Sequence, residues 1–228
     1  MTHEREKMSR SRIAEVIENH AIKTADRRVE LIKEEFERGF EFLKRFKKTV
    51  SVFGSARTTF DHQLYQDATS LASRLTSDGY TIITGGGPGI MEAANRGAFE
   101  AGGRSVGLNI ELPSGQQQNQ YVTESVVFHH FFVRKVMLAF AADAYVFFPG
   151  GFGTLDEFFE LVMLIETQKT TPVPVILVGT EYWSPLLSWI ENILLKQHRA
   201  IDEKDTRIYT LTSDANEAYR ALSGTVSL

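Results

Sequence analysis

From Thr49 onward, short runs rich in Val, Ile, Phe and Thr alternate with helical stretches. Val50–Gly54 precedes Gln63–Ser77, and Tyr80–Thr84 precedes Ile90–Ala101. Ser105–Ile110 follows, then Ser125–Phe128 before Phe131–Ala142 and Ala144–Phe148 before Leu155–Glu166. Val173–Val178 precedes Trp183–Leu195, and Asn216–Leu222 closes the series. Strands alternating with helices predict a parallel sheet covered on both faces, a doubly wound α/β fold. Such sheets bind ligands outside the carboxyl ends of their strands, where the strand order reverses. Chemistry is therefore expected in the residues that follow those ends.

Two of those connections are glycine-rich. Pro149-Gly150-Gly151-Phe152-Gly153-Thr154-Leu155-Asp156-Glu157 joins the apolar run Ala144–Phe148 to the helical segment Leu155–Glu166. Glycines allow close approach of the backbone, and a helix start presents unpaired N–H groups and partial positive charge to an anion. The same residues carry a second reading, because Thr154-x-x-Glu157 fits a capping box with Thr154 as N-cap. Gly85-Gly86-Gly87-Pro88-Gly89 lies between Tyr80–Thr84 and Ile90–Ala101, and alone it reads equally as a tight turn that needs glycine for geometry. Together with Gly54-Ser55-Ala56-Arg57 after the first strand, the two loops predict one crevice for a phosphorylated small molecule. Neither loop continues into Gly-Lys-Ser/Thr or has the G-x-G-x-x-G spacing, which argues against ATPase and NAD-binding readings.

The combination of Gly85–Gly89 with Ile90-Met91-Glu92-Ala93, then Arg134, Lys135 and Met137, then Pro149-Gly150-Gly151-x-Gly153-Thr154-x-x-Glu157, resembles the Lonely guy family of nucleotide phosphoribohydrolases. The match runs from about Val50 to about Leu187. Members of that family often carry the label "lysine decarboxylase". The resemblance implies a Rossmann-like nucleotide-binding catalytic domain, here residues 49–228, behind an N-terminal amphipathic helical extension, residues 1–48. It also implies a homo-oligomer, in which a neighbouring subunit can complete the pocket. The reaction it implies is hydrolysis of the N-glycosidic bond of a nucleoside 5′-monophosphate, of the AMP or N6-substituted AMP (cytokinin riboside 5′-monophosphate) type, to free base and ribose 5-phosphate. Leu108-Asn109-Ile110-Glu111-Leu112-Pro113 departs from the family pattern, so base preference does not carry over.

Breaking that bond builds positive charge on the ribose, and the site then needs a carboxylate near C1′, a water and a means of stabilising the departing base. Glu157 is the best-placed carboxylate, close behind a phosphate held by Gly150, Gly151, Gly153 and Thr154. Asp156 is the second choice, or else a solvated acid complementing the helix dipole. Arg134, by its family position, supplies a fork of donors to phosphate or developing negative charge. Lys135 is a weaker candidate for substrate contact, and without the resemblance the pair reads as a surface ion pair. Gly85, Gly86, Gly87, Gly54 and Ser55 are expected to line the phosphate or substrate site. Glu92 and Asn95, one turn apart, either bind sugar hydroxyls or finish the helix start. His129 and His130 point to different faces, so at most one reaches the crevice.

No cofactor or metal is called for. The histidines lack H-E-x-x-H or comparable spacing, and lysine decarboxylation requires a pyridoxal phosphate Schiff base. The chain has no cysteine, which removes thiolate chemistry and disulfides together. A formal net charge of −4 argues against a nucleic-acid polymer as partner. Met1–Arg12 is polar and charged, so the expected location is the cytoplasm. The longest apolar run, Val136–Phe148, contains Asp143 and falls short of the roughly 20 residues a membrane helix needs. A non-catalytic carrier or sensor holding a nucleotide or phosphorylated cofactor in the same crevice is the alternative reading.

Before Thr49 the chain is rich in Glu, Lys and Arg, with Val29, Ile32, Phe36, Phe40, Leu43 and Phe46 recurring every three or four residues. That stripe predicts an amphipathic helix whose apolar side packs on the domain or on a partner subunit, rather than a free tail or a membrane-surface helix. Ser114–Gln120 is a polar stretch that reads as a loop beside the crevice or as an ordinary surface turn.

Overall fold

The computed structural model describes residues 25–111 and 118–225. Helix α1 (25–43) leads into β1 (Thr49–Phe53), α2 (Gln63–Ser77), β2 (Thr81–Thr84), α3 (Ile90–Glu100), β3 (Ser105–Ile110) and β4 (Glu124–Phe128). The chain continues through α4 (Phe131–Ala139), β5 (Ala144–Phe147), α5 (Phe152–Glu166), β6 (Val175–Val178), α6 (Thr180–Trp189), β7 (Thr210–Thr212) and α7 (Ala215–Thr225). The strands form one seven-stranded sheet in the order β4-β3-β2-β1-β5-β6-β7, and every neighbouring pair is parallel. This is the Rossmann-like, doubly wound α/β architecture that the alternation predicts. Winding reverses between β1 and β5, and the register that pairs Phe53 with Phe147 releases both chains at the same level. Ser55 N–H donates to Pro149 O at 3.0 Å, so the loops leaving these two strands are tied side by side at the switch point.

The central strands are apolar on both faces because both are covered. On one face Val50, Val52, Ile82, Val146 and Ile176 pack against Leu71 and Leu75 of α2, Ile90 and Ala94 of α3, and Ala218 and Leu222 of α7. On the other, Phe53, Ile83, Leu108, Phe147 and Leu177 meet Val133 and Met137 of α4, Phe158 and Leu161 of α5, and Trp183 of α6. Among the described residues no helix is long and apolar enough to cross a membrane.

Three segments differ from expectation. The helix predicted over Trp183–Leu195 is α6 followed by a π-helix, Ile190–Gln197, and β7 is an edge strand too short to leave a periodic signal. Helix α4 stops at Ala139 rather than Ala142. Asp143, just beyond it, accepts from Thr49 N at 2.8 Å and pins the turn to the start of β1. In α1 the packed side is rotated from the predicted stripe. Ile32, Phe36 and Leu43 join the second core with Phe46, whereas Val29 and Phe40 stand exposed. Their places in the contact are taken by Glu35 and Gly39, both buried; a Cβ on Gly39 would collide with Met137 and Phe128. Glycine therefore lets α1 lie directly on α4. Residues 114–117 of the predicted polar loop, and 1–24 of the N-terminal extension, lie outside the described residues.

Candidate active site

Helix α5 begins at Phe152, three residues before the predicted start, with Gly151 as N-cap and no side-chain hydrogen bond to the cap. The capping-box reading is thereby corrected. Thr154 is buried inside the first turn with its N–H on Gly151 O, and Glu157 lies in the second turn. Among the described residues the N–H groups of Phe152 and Gly153 have no partner, as expected for the first donors of a helix. A Cβ at Gly151 or Gly153 would meet nothing within 4 Å, so these two glycines leave the helix mouth open rather than relieving a clash. The loop behind them is held from α6, whose Tyr182 hydroxyl donates to Gly150 O at 2.7 Å.

Glu157 sits one turn beyond Thr154 and Gly153 on the same helix face. Burial, reinforced by the neighbouring Glu160 and Asp156 carboxylates, pushes its pKa up to about 8, against the opposing pull of Lys135 and Arg134. Arg134 lies across the crevice on α4. Burial lowers its pKa and Glu157 counters that effect. Its Nε donates to Leu108 O at 2.8 Å, so the fork is anchored on the second half of β3 and packs under Gly85, where a Cβ would strike Nη2. Lys135 is bridged to Asp156 at 2.8 Å and to Glu160 at 3.3 Å. Burial works against its charge, but the two carboxylates outweigh that and raise its pKa. Glu160, four residues after Asp156 and absent from the sequence-based candidates, is the acid that completes this cluster.

Glu157, Arg134 and Lys135 line one crevice of ≈ 990 Å³, together with Gly54, Ser55, Gly85, Gly150, Gly151, Gly153, Thr154 and Asp156, while Glu160 stands behind it. Arg57 and Met91, which fall within the motifs read from sequence, also line it, as do His62 and Tyr182, which the sequence did not single out. Gly86, Gly87 and Glu92 do not line it. The Glu92 carboxylate instead accepts from Tyr65 OH at 3.1 Å. Gly86 and Gly87 are held from beneath by a buried polar network. Thr84 Oγ1 accepts from Gly86 N and donates to Asn95 Oδ1, and Asn95 Nδ2 donates to Ser105 Oγ. Asn119 closes the network, its N–H on Gly86 O and its Nδ2 on Gly87 O and Asn95 Oδ1. Asn95 is thus fully buried behind the loop, away from any sugar. His129 pairs with Glu111 and His130 with Glu35, and neither lines the crevice. No group of three or more His, Asp or Glu that could hold a metal ion occurs among the described residues.

The family described as "possible lysine decarboxylase" matches residues 91–222, which carry most of this site. The cytokinin riboside 5′-monophosphate phosphoribohydrolase of Rhodococcoides fascians is 31% identical over 150 residues, covering 64% of this chain and 75% of that protein. The chain belongs to the Lonely guy family. A second relative, the cytokinin riboside 5′-monophosphate phosphoribohydrolase of Mycobacterium tuberculosis, is 27% identical over 149 residues, 64% of this chain and 79% of the relative. Among solved structures, the molybdenum cofactor carrier protein of Chlamydomonas reinhardtii shares the fold, with a TM-score of 0.59 and 23% identity over 80% of this chain and 99% of that one. The decarboxylase wording fits this Lonely guy site poorly. A Schiff-base lysine needs a lowered pKa, whereas Lys135, the one lysine lining the crevice among the described residues, is held in its charged form by Asp156 and Glu160.

Proposed function

We propose that this protein hydrolyses the N-glycosidic bond of nucleoside 5′-monophosphates of the AMP or N6-substituted AMP type, releasing free base and ribose 5-phosphate. The observation that carries the reading is the pairing of an open helix mouth at Phe152 and Gly153 with a half-buried carboxylate, Glu157, one turn behind it and Arg134 opposite. The phosphate rests on the free N–H groups, which directs the ribose toward Glu157. As the C1′–N bond breaks, its electron pair leaves with the base and Arg134 supports the departing charge. The Glu157 carboxylate stabilises the cationic ribose and takes a proton from the water whose oxygen bonds C1′; that proton leaves with the base.

Incubating the protein with a panel of nucleoside 5′-monophosphates and following free base by chromatography tests the assignment. A carrier, the competing reading, binds a nucleotide in the crevice and releases no base. Family membership and the exposed apolar surface of α4 and α5 (Phe131, Phe132, Phe159 and Met163) support a homo-oligomer built across these helices.

Proton linkage gives a second expectation. Only the ionised carboxylate stabilises the ribosyl cation, and with a pKa of about 8 that form is a minority at neutral pH. For AMP, kcat/KM reports the free enzyme and should climb from pH 6.5, above the second phosphate pKa of about 6, and level off beyond pH 8. A profile that instead falls through pH 8 would identify Glu157 as a proton donor and overturn the charge-stabilising role.

A further inference from the structure

We infer that Glu35, on the N-terminal helix α1, is a positioning residue that sets Arg134 in the crevice. Its side chain is buried at 5% exposure, and the residue lies far in sequence from Arg134. One carboxylate oxygen accepts from His129 N–H at 3.0 Å and the other from His130 N–H at 3.2 Å, and His130 Nδ1 lies 3.3 Å from Oε1. His130 is the N-cap of α4 and makes no side-chain cap of its own, so the acid that satisfies this helix start comes from α1. The next link is direct. Arg134 N–H donates to His130 O at 3.2 Å, within the first turn of α4, and the guanidinium then reaches Leu108 O. Contact is repeated lower on the helix, where Gly39 lies on Met137, and beside it, where Phe36 faces Phe132 at 6.5 Å. Burial opposes a charge on Glu35, but the two N–H bonds outweigh it and hold the pKa below the ordinary carboxylate value.

The inference rests on the phosphoribohydrolase reading for its kinetic arm only. Glu35→Gln offers one acceptor oxygen to two N–H groups and turns an NH2 toward a donor, so the start of α4 must shift. The helix mouth of α5 is untouched and phosphate binding should persist. For AMP, kcat should therefore fall at least about tenfold with KM within about threefold of wild type. In ¹⁵N spectra of the full chain, the Arg134 Nε–H resonance, assigned by its loss in Arg134→Lys, should move in Glu35→Gln and Glu35→Ala and stay in place in the exposed-face control Glu34→Gln. Melting curves select the variant that is folded. An unmoved Arg134 resonance in a folded Glu35 variant overturns the inference, and so does a moved resonance with wild-type kcat. If the wild-type protein releases no base from any nucleotide, the reaction proposed above fails, and the resonance alone decides whether Glu35 holds Arg134.

Discussion

Glu157→Gln is expected to lower turnover of AMP by at least about two orders of magnitude while the chain stays folded. The substitution keeps size and shape and removes the charge that offsets the developing ribosyl cation. Helix α5 starts at Phe152 with Gly151 as N-cap and no side-chain cap, so Glu157 does not hold the helix end and no capping loss confuses the result. Stability should respond in the opposite sense to activity. Because folding raises the Glu157 pKa from 4.5 to about 8, the folded state holds this proton more tightly than the unfolded chain. With respect to this group the fold is most stable below pH 4.5 and loses stability as the pH rises from there through about 8. Across that window the loss approaches about 1.4 kcal/mol for each step of one pH unit. Above pH 8 the glutamine variant should melt higher than wild type. Turnover within about threefold of wild type would remove Glu157 from the chemistry.

Removing the 5′-phosphate should have an effect of comparable size. Two unpaired N–H groups and a helix start face the crevice at Phe152 and Gly153, and hydrogen bonds to a charged group contribute about 1.5–3 kcal/mol each. Losing two of them predicts a kcat/KM for adenosine roughly 10²–10⁴ below that for AMP, and part of the loss should appear in kcat because the phosphate orients the sugar. Comparable specificity constants for the two compounds would show that the Gly150–Thr154 loop does not hold phosphate.

The sheet was legible because its central strands are sandwiched, which writes them as uninterrupted apolar runs between helical periods. The two glycine loops were legible for a related reason, since each sits where such a run ends. What stayed hidden depends on contacts without local periodicity. Glu35 meets the start of α4 across 94 residues, and Asn119 reaches Gly87 across 32, and nothing near either residue distinguishes it from a solvated polar side chain. The start of α5 was misplaced because Phe152-Gly153-Thr154 offers two polar or helix-weak residues, and the capping pattern at Thr154 competes with the true cap at Gly151. The turn of α1 was misjudged because an apolar stripe was assumed to mark the buried side, when Gly39 and a paired acid permit closer packing than Phe40 would.

The polar cluster of Thr84, Asn95, Ser105 and Asn119 spends its donors and acceptors on one another and on the backbone of Gly86 and Gly87. The loop they brace, which reaches the crevice through Gly85, is consequently set before any ligand arrives and has little conformational freedom to lose on binding. The opposite mouth, with two amides still open to water, is where association should register as slowed hydrogen exchange. The cleft thus joins a preset wall to a responsive rim, and selectivity for the shape of a guest belongs to the first while its anionic charge is sensed by the second.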